Sequence, residues 1–126
     1  PREPVRGKYA PVIGLFKRQK AAGQLLTIVG DGTQRRDFTY IDDVVNANIC
    51  AMRVAYDTDI SRFTIYNVGS GKNYSINEIA GMVGGEVVNT APRLAEVKET
   101  LANISKTTEE LGWYPANCLE EKINAY

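Results

Sequence analysis

A chain of 126 residues is long enough for one domain with a modest core and too short for two. Fifteen lysines and arginines balance fifteen aspartates and glutamates, so no net field draws it to nucleic acid or to a membrane surface. Histidine is absent, which removes histidine-based triads and the commonest metal ligand.

No apolar run approaches the length of a membrane span, and no signal peptide is visible. Cys50 and Cys118 have no metal-ligand spacing. They read as buried thiols of a cytosolic protein rather than as a disulfide.

Taken in order, residues 1–10 are rich in proline and charge and read as a loop. Pro11 suits a first helical position, and the helix runs through Val12, Ile13, Leu15 and Phe16 to a stop at Gly23. The basic cluster at 17–20 favours the negative end of that helix. Leu25 to Val29 is a short apolar strand entering the turn Gly30-Asp31-Gly32. Asp37 to Tyr40 alternates like a strand, with Arg36 facing away from Asp37 at the mouth of the turn.

Ile41 to Ala55 is an amphipathic helix whose apolar residues are Val44, Val45, Ala47, Ala51, Met52 and Ala55. Asp42 and Asp43 fall in its first turn, where carboxylates complement the helix dipole. Adjacent helical positions do not face each other, so these two aspartates are not a metal or acid/base pair. Residues 56–62 form a polar connection. Phe63 to Val68 carries the β-branched and aromatic residues of a strand, closed by Gly69-Ser70-Gly71.

Ser75 and Glu78 have the spacing of a capping box, and Gly84-Gly85 ends the helix they open. Glu86 to Asn89 is a further short strand. Ser105 caps a helix from Lys106 to Leu111 stopped by Gly112, and Asn117 with Glu120 caps a last helix. Trp113 is a packing anchor. This order implies an α/β fold: a small mixed sheet with flanking helices.

The run GDGTQRRDFTYIDDVVNA, residues 30–47, resembles a signature of extended short-chain dehydrogenases/reductases. These are the NAD-dependent sugar-nucleotide epimerases and dehydratases, and the likeness is strongest to the UDP-hexose 4-epimerase branch. Gly30, Asp31, Gly32, Arg36, Asp37, Phe38, Tyr40, Asp42, Asp43, Val44 and Ala47 match its pattern. A second run matches as Arg93, Glu96, Thr100, Ala102, Ile104-Ser105-Lys106, Leu111-Gly112-Trp113 and Pro115.

The resemblance implies that Arg36 and Arg93 contact a nucleoside diphosphate and that Glu96 contacts its ribose. It also implies that the strand holding Thr27 and Val29 meets the base through backbone groups, and that Ile76 packs near ribose or base. For Ile76, core packing is an equal expectation. The chemistry agrees: guanidinium is a permanent cation with a fork matched to phosphate, and glutamate is acceptor-only. Asn67 and Gly69 match a strand end of structural role. Lys8 and Tyr9 stand where the family has substrate-facing residues.

No catalytic residue is expected in this chain. The G-x-x-G-x-x-G dinucleotide fingerprint is missing, since Gly69-Ser70-Gly71 lacks the third glycine. So is the family's Tyr-x-x-x-Lys pair, because Tyr114 has no lysine at that spacing.

The expectation is therefore a single substrate-binding domain over 1–126, a fragment of a longer enzyme lacking its Rossmann half. NAD would belong to the full-length parent and not to this chain alone. Expected partners are a UDP-sugar and the Rossmann half, with neither nucleic acid nor membrane. Self-association through an open apolar helix face is expected of the chain by itself. The alternatives are a sugar-nucleotide 4,6-dehydratase, another NAD-dependent sugar-nucleotide modifier, or a stand-alone non-catalytic nucleotide-binding or interaction module.

Overall fold

A computed structural model describes residues 11–57 and 63–125. Lys8, Tyr9 and most of the 56–62 connection lie outside the described residues. The elements run α1 (Val12–Ala21), β1 (Leu26–Val29), β2 (Arg35–Asp37), α2 (Ile41–Asp57), β3 (Asn73–Ser75), α3 (Ile76–Val83), β4 (Val87–Thr90), α4 (Ser105–Leu111) and α5 (Leu119–Lys122). The α/β class is the expected one. The strands form two pairs, β1 with β4 and β2 with β3. The chain divides into two compact units, one of residues 11–36, 74–100 and 120–125, the other of 37–73 and 101–119.

In the first unit, β1 and β4 run parallel in the register Leu26↔Val87 to Val29↔Thr90. α1 and α3 pack on β1 and on each other. Phe16, Leu26, Ile28 and Ile79 are almost wholly excluded from solvent, so the apolar positions of three different elements share one core.

The capping box forms as expected. The Glu78 amide donates to Ser75 Oγ at 3.1 Å, and the Ser75 amide donates to Glu78 Oε2 at 2.7 Å. Gly84 ends α3 at φ 75°, a conformation that costs glycine little. The last α3 carbonyls are also satisfied, Val83 by Lys20 Nζ and Met82 by Asn124 Nδ2 at 3.1 Å.

In the second unit, α2 packs against α4. Ala47, Leu111 and Trp113 are buried, and Cys50, Ala51, Val54, Tyr66, Val68 and Ile104 pack partly buried around them. Trp113 is thus the anchor its chemistry implied. Its indole Nε1 donates to the Asp43 carbonyl at 3.1 Å. The apolar residues of α2 divide between two faces. Ala47, Cys50, Ala51 and Val54 turn inward, while Ile41, Val45, Ile49, Met52 and Tyr56 stay exposed.

Four local expectations are corrected. The strand beginning at Asp37 lies earlier, at Arg35–Asp37, and residues 38–40 lead into α2 instead, with the Tyr40 carbonyl accepting from the Asp43 amide at 3.1 Å.

The segment 63–68 has no regular secondary structure and forms no ladder among the described residues. Phe63 is 93 % exposed and Ile65 69 %. The carbonyls of Ile65 and Asn67 are taken by the side chains of Lys106 and Thr107. β-propensity measures fit to a half-buried pleated surface, and among the described residues no strand pairs with this segment to provide one.

Ser105 does not cap α4. It is the first helical residue, and its amide donates to Asn103 Oδ1 at 3.1 Å. Asn117 is not a cap either, because its side chain donates to Asp43 Oδ1 at 2.8 Å. The helix after it is only Leu119–Lys122.

Candidate functional site

Parallel strands that start together also end together. Val29 and Thr90 close β1 and β4 side by side, and the Gly30 amide donates to the Thr90 carbonyl at 2.9 Å. The loops that follow therefore leave from the same edge, the carboxyl end of the pair, where open α/β sheets hold their ligands. The loop after β1 contains Gly30-Asp31-Gly32 and leads to Arg36. The loop after β4 contains Arg93 and Glu96. The two abut: a Cβ added to Gly30 would lie 3.7 Å from the Cβ of Pro92.

The glycine turn is fastened to α3. Gly32 has φ 76°, and a Cβ there would lie 2.1 Å from Asn77 Oδ1, so only glycine fits. Asn77 donates from its side chain to the Asp31 carbonyl at 3.0 Å and from its amide to the Gly32 carbonyl at 3.1 Å. Within the turn, Asp31 Oδ1 accepts from the amide and the hydroxyl of Thr33 at 3.0 and 2.7 Å. The Thr33 amide is the largest of the influences that hold its carboxyl below the usual carboxylate range, followed by the Thr33 hydroxyl.

These bonds also settle what α3 can offer an anion. A helix N-terminus attracts phosphate through its unpaired N–H groups. Here the amides of Ile76, Asn77 and Glu78 are taken by the Gln34 carbonyl, the Gly32 carbonyl and Ser75 Oγ. These three amides are therefore not open to an anion.

Arg36 and Glu96 are brought together from 60 residues apart. Arg36 Nη2 lies 3.5 Å from Glu96 Oε1, and Arg36 Nη1 donates to the Arg35 carbonyl at 2.8 Å. The two side chains are 26 % and 28 % exposed, so solvent reaches both.

Arg93 is exposed and makes no hydrogen bond or ion pair among the described residues. A turn at residues 94–95 separates it from Glu96, with Ala95 at φ 60°. Such a turn brings its outer Cα atoms to within about 7 Å. Positive φ is uncommon for a residue with a Cβ, and alanine there carries strain of order 1 kcal/mol.

The remaining expected contacts lie in the same unit. Thr27 is clamped by Gln19, whose amide nitrogen donates to Thr27 Oγ1 at 2.8 Å and whose amide oxygen accepts from the Thr27 amide at 3.1 Å. The Val29 carbonyl accepts from Gln34 Nε2 at 2.9 Å. Ile76 is 7 % exposed at the start of α3, in the core and next to this edge.

Two aspartates of the 30–47 run do structural work that its pattern did not reveal. Asp37 Oδ1 accepts from the amide and hydroxyl of Ser70 at 2.8 and 2.7 Å, and Oδ2 accepts from the Ala102 amide at 3.2 Å. Asp43 is 1 % exposed and accepts from the Ala116 amide at 3.0 Å and the Asn117 amide at 3.3 Å. Each carboxylate ties a distant segment to the start of α2. Asp37 also accepts from the Thr39 hydroxyl at 3.4 Å, and nothing in that local pair signals the distant one.

Gly69-Ser70-Gly71 belongs to the same network. A Cβ on Gly69 would lie 2.3 Å from the Ala102 Cβ and 2.7 Å from Asp37 Oδ2. The close approach at Gly69 is made to the chain's own Ala102 and Asp37. Among the described residues no group of histidine, cysteine or carboxylate side chains could hold a metal, and no helix is long and apolar enough to cross a membrane. Neither cysteine is in a disulfide, but the expected burial is not found: Cys50 is half-buried and Cys118 exposed.

A family model for the NAD dependent epimerase/dehydratase family matches residues 1–69. The chain belongs to that family. Curated relatives agree. It is 36% identical over 120 residues to a putative UDP-glucose 4-epimerase of Methanocaldococcus jannaschii, covering 90% of this chain and 37% of that protein. To a UDP-glucose 4-epimerase of Mycolicibacterium smegmatis it is 36% identical over 98% of its own length and 39% of that protein's.

Among solved structures, a UDP-glucose 4-epimerase of Thermotoga maritima with UDP-glucose superposes with TM-score 0.80 at 30% identity. It covers 98% of this chain and 40% of that one. A Thermus thermophilus UDP-glucose 4-epimerase complex with NAD gives 0.79 at 27% identity, with the same coverage. This member of the epimerase/dehydratase family thus spans about two fifths of the length of the relatives it matches.

Proposed function

We propose that this chain is the substrate-binding portion of an NAD-dependent sugar-nucleotide epimerase and that it holds the nucleoside diphosphate of a UDP-hexose. The observation that carries this reading is the meeting of Arg36 with Glu96, and of Arg93 across one turn from Glu96, at the carboxyl edge of the parallel pair. Two guanidinium groups grip a diphosphate bridge, and the carboxylate receives hydrogen bonds from a ribose diol. Magnitudes favour the ligand over the resting contact. A solvent-reached ion pair is worth about 0.2–1 kcal/mol, while a hydrogen bond from guanidinium to phosphate contributes about 1.5–3 kcal/mol.

In the whole protein the reaction is epimerisation at the sugar C4 through a transient keto intermediate, with NAD supplying the hydride acceptor. This chain's residues bind and orient the nucleotide; none moves a proton or a hydride. The Rossmann half meets the exposed stripe of α2, Ile41, Val45, Ile49, Met52 and Tyr56, which recurs at helical spacing as a core-facing stripe does.

Isothermal titration of the 126-residue chain with UDP tests the reading. Binding is expected, and it weakens by about tenfold or more on Arg36→Ala or Arg93→Ala. Unchanged affinity in both variants, with the fold retained by circular dichroism, would remove the two arginines from the site.

A further inference from the structure

We propose that Glu96 makes Arg36 selective: the resting ion pair excludes bare phosphate and pyrophosphate and yields to a nucleoside diphosphate. The inference rests on the nucleotide-binding reading above and adds a selection rule to it.

The guanidinium of Arg36 is engaged on two sides before any ligand arrives. Nη1 holds the Arg35 carbonyl at 2.8 Å, and Nη2 faces Glu96 Oε1 at 3.5 Å. Turning Nη2 toward a phosphate oxygen means releasing Glu96. The released carboxylate stays beside the incoming anion, because its backbone is fixed one turn from Arg93. Its charge then opposes the ligand's at short range, a modest repulsion in a site that solvent reaches and one that low ionic strength preserves.

A bare phosphate or pyrophosphate offers this carboxylate at most a P–OH donor at neutral pH, and one borne by the very anion its charge repels. A nucleoside diphosphate brings two ribose hydroxyls, and an ionised carboxylate can take both. The diol replaces the guanidinium as the partner of Glu96 in the same event that frees the guanidinium for phosphate. The start of α3 gives the anion no alternative, because its first three amides already have acceptors. The charge on Glu96 therefore weakens one ligand class and strengthens the other through a single contact.

The test is isothermal titration of the 126-residue chain at low ionic strength, with UDP and separately with inorganic pyrophosphate. Wild type, Glu96→Gln, Glu96→Ala and Arg36→Ala/Glu96→Gln are compared. Loss of the Glu96 charge should tighten pyrophosphate binding roughly threefold or more while weakening UDP binding by a similar factor, so that their ratio changes about tenfold. In the Arg36→Ala background, Glu96→Gln should no longer tighten pyrophosphate binding.

Wild-type binding of UDP with both ligands shifted in the same direction by Glu96→Gln and Glu96→Ala overturns the selection rule and leaves the nucleotide reading standing. Wild type that binds no UDP overturns both.

Discussion

Arg36 and Asp43 lie seven positions apart in one motif and do unrelated work. Arg36 is held loosely, by a carbonyl and a solvent-reached carboxylate, and can be recruited by a ligand. Asp43 is sealed, with backbone amides and an asparagine side chain as fixed donors. Asp43→Ala should therefore destabilise the chain by about 3 kcal/mol or more, read from urea unfolding, because it strands buried donors. Asp42→Ala, one position earlier and exposed, should shift the midpoint within about 0.5 kcal/mol. The arginines were legible in the sequence because both stand in long matching patterns. The anchoring aspartates were not, because their partners lie 33 to 74 residues away and no local spacing encodes them.

Elements with local causes were legible, and those that depend on neighbours were less so. α3 was readable because serine, glutamate and the double glycine act within one or two turns of chain. Its cap carries a pH signature. The Ser75 amide, then the Ser75 hydroxyl, hold the Glu78 carboxyl below its ordinary value, with the Arg35 guanidinium at 2.9 Å adding to them.

A carboxyl depressed in the folded state contributes stability that is complete above its unfolded value, about 4.3. That contribution is lost as pH falls through the lower folded value. Urea midpoints of wild type should accordingly fall on acidification below about pH 4.3, and Glu78→Gln should flatten that part of the profile. Ser75→Ala should cost about 1 kcal/mol at neutral pH. Residues 63–68 show the opposite case. Their composition is that of a strand, yet a ladder needs a second edge, and the composition of one segment says nothing about what lies beside it.

Taken as a whole, the chain combines a candidate site with a surface unfinished by its own residues. The site edge belongs to one compact unit, so its residues need no second domain to be brought together. The stripe on α2 leaves Met52 72 % and Tyr56 92 % exposed, unusual for large side chains at core-like spacing. The isolated chain is expected to self-associate through it. Sedimentation velocity should show a concentration-dependent species that Met52→Glu or Ile49→Glu abolishes. If both variants sediment as wild type does, another surface is responsible.

The central claim is that a diphosphate is gripped at the carboxyl edge of β1 and β4 by this unit alone. Titrating UDP into the uniformly 15N-labelled chain tests it most directly. Shift changes should concentrate at Gly30, Gly32, Arg36, Arg93 and Glu96, while the amides of α4 stay still. Changes centred on α4 or on Gly69 and Gly71, with the amides of 30–36 and 93–96 unmoved, would contradict it.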